Sequence, residues 1–412
     1  MVLKNLQSVP IKALAVIIAA TPATLSAQSM PDVAPAIPRD DPEFDPAPIF
    51  LGTVELSVEG DVRIEYDDNV FALPDDPTSD GVFVLSTQTE LTHRTGDVTT
   101  SFVAGITARR FMDQIQQNSD AALFRLGLTW EPREAETLSL GASWERAIED
   151  RGDPEARQST ALGPRQIDIS SARVGYRRAQ GKLLLDVGAE ATKFDARAPI
   201  DDDRDFTVYG GTAKLGFKVG GRMFATASAF VTKRDFRLAV SSQGIDRDAT
   251  IYGGRVGVEI LPGGFFEGSI SGGVFRSEPS DPLLDARTGL SLEGMLTYRP
   301  TRRMALILDA SRGDVATFRG GASGRTDTTV RITWQQEIRH NLFSSVSVGY
   351  RDSAFVDAAI SEQTVIARAD VEYLVGRNLS LVGQLGYGSR DSDLPLEQFD
   401  RFRGSLGIRF RF

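Results

Sequence analysis

The last eleven residues, Phe402 to Phe412, read F-R-G-S-L-G-I-R-F-R-F and limit the fold more than any other stretch. Taken alternately, Phe402, Gly404, Leu406, Ile408, Phe410 and Phe412 fall on one face, and Arg403, Ser405, Gly407, Arg409 and Arg411 on the other. A repeat of two is that of a β-strand, whose successive side chains point to opposite sides. One side here suits hydrocarbon and the other suits water. Such a strand fits a membrane barrel, with lipid outside and water inside, or the edge of a soluble sandwich. The rest of the chain separates the two.

From Gly52 onward the sequence repeats as hairpins. Tight turns rich in Gly, Pro, Asn or charge lie at 94–97, 131–135, 178–181, 219–221, 261–264, 300–302, 339–341 and 375–377. Longer polar loops centre near Pro74, Pro154, Asp201, Ser241, Pro279, Gly320, Asp357 and Asp393. Short turns at one end and long loops at the other is the layout of outer-membrane barrels. The spacing predicts eighteen strands, or sixteen if one is misread, at 53–67, 81–94, 97–111, 120–131, 136–147, 167–178, 182–195, 205–218, 222–235, 248–260, 264–276, 286–299, 303–314, 326–338, 342–353, 362–374, 378–389 and 399–412. The expected fold class is therefore all-β: a transmembrane, antiparallel, up-and-down barrel over residues 52–412. An even strand count leaves both ends of the barrel chain on the short-turn, periplasmic side. The terminal Phe, with Phe402, Leu406, Ile408 and Phe410 at alternate positions before Phe412, resembles the signal read by the bacterial barrel-assembly machinery.

Both faces persist along the chain. Phe124, Leu126, Leu128 and Trp130 oppose Arg125, Gly127 and Thr129, and Val330, Ile332 and Trp334 oppose Thr329, Arg331, Thr333 and Gln335. Charges on the second face exclude a packed soluble core there, because an unpaired buried charge costs several kcal/mol. Aromatics close the apolar face before the short turns, at Trp130, Tyr176, Phe217, Tyr298, Trp334, Tyr373 and Phe412. A second set, including Trp144, Phe194, Phe275, Tyr350 and Tyr387, lies toward the long loops. Two interfacial girdles are the expectation.

Met1 to Ala27 reads as a secretory signal, with Lys4 and Lys12, an apolar run Ala13 to Ala20, and Leu25-Ser26-Ala27 before Gln28. Residues 28–51 are rich in Pro and Asp and read as an extended periplasmic arm. The chain has no Cys and two His, His93 and His340, both at short turns. Enzymes of the Ser-His or Cys-His type are disfavoured by this, and no cofactor is expected. Asp201-Asp202-Asp203 reads as a solvated loop or a divalent-cation site beside lipopolysaccharide. A formal charge of -10 argues against nucleic-acid binding. A TonB-dependent transporter, with a plug domain and 22 strands, needs a longer chain.

The lumen is the expected functional surface. The last strand points Arg401, Arg403, Arg409 and Arg411 inward, and nearby strands add Arg331 and Arg368. The first strand, which must pair with the last, points Glu55, Glu59, Asp61 and Glu65 the same way. These two ladders either set a transverse field for polar solutes or neutralise each other along the seam; Arg suits both roles. The loop Asp150 to Arg165, carrying Asp150, Asp153, Glu155 and Arg157, either folds into the lumen as a constriction or lies on the surface.

The segment Ile64-Glu65-Tyr66-Asp67-Asp68-Asn69-Val70-Phe71 opens the barrel. With the roughly forty-residue hairpin repeats, this Y-D-D-N-V element resembles a β-barrel porin family of Gram-negative bacteria sometimes called porin type 2. The resemblance covers residues 52–412 and implies an outer-membrane location. It also implies, for some members, an association with exopolysaccharide production. Two functions follow as expectations: a passive channel for small polar solutes, or a barrel for exopolysaccharide export or structure without an open pore. A soluble β-rich adhesin is a third class. Expected partners are outer-membrane lipid and lipopolysaccharide, the assembly machinery and, for the second function, export components.

Overall fold

The computed structural model describes residues 35–37, 43–157, 159–238 and 244–412. The expected signal segment and half of the arm lie outside these residues. A short strand β1 (Ile49–Leu51) leads into eighteen long ones. They are β2 (Val54–Asp67), β3 (Asp80–Thr95), β4 (Val98–Phe111), β5 (Ser119–Arg133), β6 (Glu136–Ile148), β7 (Gln166–Gln180), β8 (Leu183–Ala196), β9 (Phe206–Gly220) and β10 (Met223–Phe236). There follow β11 (Ala249–Ile260), β12 (Phe266–Pro279), β13 (Arg287–Thr301), β14 (Met304–Val315), β15 (Gly324–Arg339), β16 (Leu342–Val356), β17 (Ile360–Leu374), β18 (Leu379–Ser392) and β19 (Phe399–Arg411). All eighteen expected strands are present, and every boundary falls within three residues of its predicted place.

Each long strand pairs antiparallel with the next, and β19 returns to β2. The barrel is therefore closed, which removes the unpaired edge a large sheet would otherwise expose. At the seam Arg403 lies opposite Asp67, Arg409 opposite Asp61 and Arg411 opposite Glu59. Phe412 extends the seam by exchanging two backbone hydrogen bonds with Val58, each 2.8 Å. Gly407 sits where a Cβ would lie 2.4 Å from the Val62 carbonyl oxygen, so the seam's close approach needs glycine there.

The two-residue turns at one end follow local chemistry. Gly96 (φ +56°) and Gly181 (φ +63°) each take the first turn position in the left-handed region, as a type II′ hairpin requires. At the other end the connections are longer and include three short 3-10 turns: Ile115–Gln117, Pro199–Arg204 and Pro395–Glu397. The exception is that only three residues join β16 to β17, where a long loop was expected near Asp357.

The wall has two chemistries. Leu126, Val174, Leu215, Val256, Leu290, Val348, Leu385 and Leu406 stand exposed on the outside. Burying such a band in hydrocarbon is worth about 25 cal/mol per Å² of apolar area. Trp130, Phe217, Tyr298, Trp334, Tyr373 and Phe412 lie exposed on this outer face toward the short turns, with Tyr350 and Tyr387 toward the long loops. Phe194 and Phe275 depart from the expected outer girdle. Both face inward and are buried. Phe194 stacks on Phe206 with centroids 4.7 Å apart, and Phe206 on Phe236 at 5.1 Å. For Phe194 the departure has a physical cause: Phe318, from the β14–β15 connection, packs on Phe206 and Phe236 and supplies an apolar lid inside the mouth. Phe275 instead packs with Ala249 and Ile251 in a separate cluster.

Candidate functional site: the lumen wall and its long-loop mouth

The inner wall is ionic along most of its height. Near the short-turn end, Arg411 pairs with Glu59 (2.9 Å) and with Glu372 of β17 (2.7 Å). Arg409 reaches Asp61 at 3.1 Å and Glu59 at 3.5 Å. Glu65 is held by Arg109 of β4 at 2.5 Å, and Glu55 meets Arg94 at the exposed rim. Arg368 pairs with Asp370 two residues on, 2.9 Å. Arg331 stands opposite Asp309 of β14 in register. Across the barrel, Glu259 of β11 gathers Arg177 of β7 and Lys214 of β9, the latter at 3.2 Å. The acidic and basic ladders of the seam are thus in direct contact. Arg409 and Arg411 each hold a carboxylate of the first strand, the arrangement that mutual neutralisation along the seam calls for.

The seam's upper end explains the Y-D-D-N element. The Asp67 carboxylate, fully buried, accepts from Arg401 Nε at 3.0 Å and from Asn69 N–H at 3.1 Å. Asp68 accepts the Phe402 N–H at 2.7 Å. The Asn69 amide donates to the carbonyls of Leu73 (2.8 Å) and Asp400 (2.9 Å) and accepts from Leu73 N–H (3.0 Å). Three consecutive side chains therefore stitch the first strand to the last and turn the next loop inward.

The connection between β6 and β7 folds across the mouth. Asp150 pairs with Arg401 (2.8 Å) and Arg403 (2.9 Å). Arg390 of β18 donates to the carbonyls of Gly152 and Asp153, the second at 3.3 Å. Glu155 reaches the β14–β15 connection, eight strands away around the wall. There its carboxylate accepts from the Phe318 and Arg319 N–H groups, each at 3.2 Å, and from the Thr317 hydroxyl. Glu155 adopts φ +60°, a conformation a non-glycine residue keeps only when its surroundings hold it there. Arg157 and Arg165 close on Asp201, Arg165 at 3.0 Å. Asp201 thus turns inward as a counter-charge for this loop instead of joining Asp202 and Asp203 as a cation site.

Residues 149–157 lie against β18, β19 and the β14–β15 connection, as a loop folded into the mouth would. Arg390, Arg319 and Glu362 belong to the site and were not singled out from sequence, and Asp67 was quoted only as part of the Y-D-D-N-V element. Arg319 joins Glu362 of β17 and Glu397, the latter at 2.6 Å. The one sequence signal was Phe318, an apolar residue in an otherwise polar, Gly-rich loop. Between the two loops a cavity of about 40 Å³ remains, lined by Glu155, Phe194, Phe206, Phe318, Arg204 and Arg325. It has room for water.

Two carboxyls in the loop respond oppositely to this setting. Burial would raise Asp150, but the Arg401 and Arg403 guanidiniums outweigh it and hold the carboxyl well below its usual range. Burial and then the negative Asp150 push Asp153 up to about 8.

The sequence over residues 41–412 matches the family described as "Putative beta-barrel porin 2". The chain belongs to that family. Together with the closed barrel and its apolar outer band, membership makes it an outer-membrane β-barrel. No curated protein matches the sequence. Among solved structures, it is similar to the FrpB iron transporter from Neisseria meningitidis at a TM-score of 0.46 and 9% identity, covering 86% of this chain and 81% of that one. It is also similar to the siderophore receptor PirA from Pseudomonas aeruginosa at 0.42 and 9%, covering 87% and 80%. A likeness this remote says nothing about what this barrel carries.

Proposed function

We propose that the barrel is a channel of the outer membrane for small polar solutes, gated at its outer mouth by residues 149–165. The carrying observation is the inner wall, which is charged and paired around the circumference where a closed structural barrel could pack apolar side chains. Barrels of sixteen to eighteen strands are wide enough for an aqueous lumen. In the orientation of such barrels the short turns face the periplasm and the folded-in loop lies outside. The outer band meets lipid and lipopolysaccharide, and the terminal strand, with Phe402, Leu406, Ile408, Phe410 and Phe412 outward, is the element offered to the assembly machinery. No catalytic role or cofactor is proposed.

A second reading has one observation in its favour. The loop crosses the whole mouth, which suits a barrel shut except in partnership, as exopolysaccharide export or a structural role would need. Single-channel conductance of the refolded mature protein in a planar bilayer separates the two. Steady steps that enlarge when residues 152–162 are replaced by a short Gly-Ser linker support the gated channel. Silence in both forms of a properly folded barrel refutes it and favours the second reading.

A further inference from the structure

The short-turn mouth carries a second occupant. Ala36 donates its N–H to Gln335 Oε1 at 2.7 Å and accepts Arg299 Nε on its carbonyl at 2.8 Å. Gln335 is on the lumen face of β15, and Arg299 lies at the short-turn end of β13. Arg299 is itself steadied by Glu267 of β12, 2.7 Å away. Ile37, the next residue, is buried. On this stretch of wall Thr297, Ala305, Ile307 and Thr333 face the lumen and are nevertheless buried. Phe44 lies with its ring 6.0 Å from that of His340, at the rim between β15 and β16. The segment thus lies inside the rim, against the wall from β12 to β15.

The sequence suits this seat. Residues 35–38 read Pro-Ala-Ile-Pro. Proline has no N–H and a fixed φ, so Ala36 and Ile37 carry the N–H groups of this stretch, and a segment held by two prolines loses little freedom on docking. Recognition uses one residue's backbone donor and acceptor, which is how a groove binds an extended peptide. The glutamine oxygen and the guanidinium supply the complementary pair, and Glu267 fixes the guanidinium's orientation.

We propose that residues 35–37 are a built-in strap, a segment of the chain's own arm seated on Arg299 and Gln335 that covers the short-turn mouth and limits entry from the periplasm. This rests on the channel reading above for its consequence, but its placement can be tested without an open pore. The chain has no Cys, so a single introduced thiol is unambiguous. Thr333→Cys, at a position 1% exposed, is labelled with a bulky, negatively charged thiol reagent in the refolded mature barrel and in one lacking residues 28–48. Ser345→Cys, opposite Gln335 on β16, repeats the measurement at a second position. Labelling at least tenfold faster without the arm, with an intermediate rate for Gln335→Ala in the full chain, is the expected result. Equal rates with and without the arm at both positions overturn the strap. Conductance is then read on the same two proteins. Faster labelling with both forms silent leaves the strap standing and refutes the channel instead.

Discussion

Replacing Glu155 with Ala removes the contact that fastens the mouth loop to the far wall. Its carboxylate serves the N–H groups of Phe318 and Arg319 and the Thr317 hydroxyl, and its side chain is only 6% exposed. Truncation orphans two backbone donors; the hydroxyl can turn elsewhere. A buried donor left unsatisfied costs about 1–3 kcal/mol. Water entering as the tip lifts recovers part of this, so the docked state should lose about 3 kcal/mol. That raises the undocked population roughly 100-fold, since 1.4 kcal/mol is tenfold. Asp150 still holds the loop's base on Arg401 and Arg403, so the barrel itself should keep its stability. Trypsin cleavage after Arg157 and the flicker of single-channel steps should both increase. Glu155→Gln retains an acceptor and should give a smaller effect, while Glu155→Gly also relieves the backbone conformation and should resemble Ala. Unchanged cleavage and unchanged conductance in Glu155→Ala would show that the loop is not held by this latch.

Three further outcomes follow from the same contacts. Arg401→Met leaves the buried Asp67 carboxylate without its cation, a loss of about 3–5 kcal/mol that should lower the urea midpoint of the barrel, with partial recovery in Arg401→Met/Asp67→Leu; an unchanged midpoint would count against the stitched seam. The Asp153 carboxyl faces Glu149 and Asp150 on its own loop, Arg351 of β16 and Arg390 of β18. Because its pKa is raised to about 8, it favours the docked loop at low pH, and that contribution is lost as pH rises through about 8. Channel opening should therefore increase between pH 7 and 9, and Asp153→Asn should flatten the dependence; a profile identical in the variant refutes the assignment. Phe412→Ala should slow assembly in cells yet shift the refolded barrel's stability by no more than about 1 kcal/mol, because this side chain is half exposed while its backbone seam bonds persist. Assembly at the normal rate would mean the terminal Phe is not a signal.

Much of the barrel was legible in the sequence because its cause is local. Alternation of side chains is imposed by each strand's own geometry, and a residue such as Leu406 or Arg409 declares its face without knowledge of any neighbour. The turns were legible for the same reason, through Gly96 and Gly181. Strand number and closure then followed from counting. The tertiary structure alone decided what occupies the interior. Glu155 and Phe318 are 163 residues apart and meet because the barrel sets β6–β7 against β14–β15. Whether an apolar residue such as Phe194 meets lipid or a loop inside the mouth depends on that encounter, as does whether Arg401 lines water or holds Asp67 and Asp150. The wall is set by a repeat that each strand carries within itself, whereas the seat of the mouth loop is set by which distant groups can satisfy one another once the wall has closed.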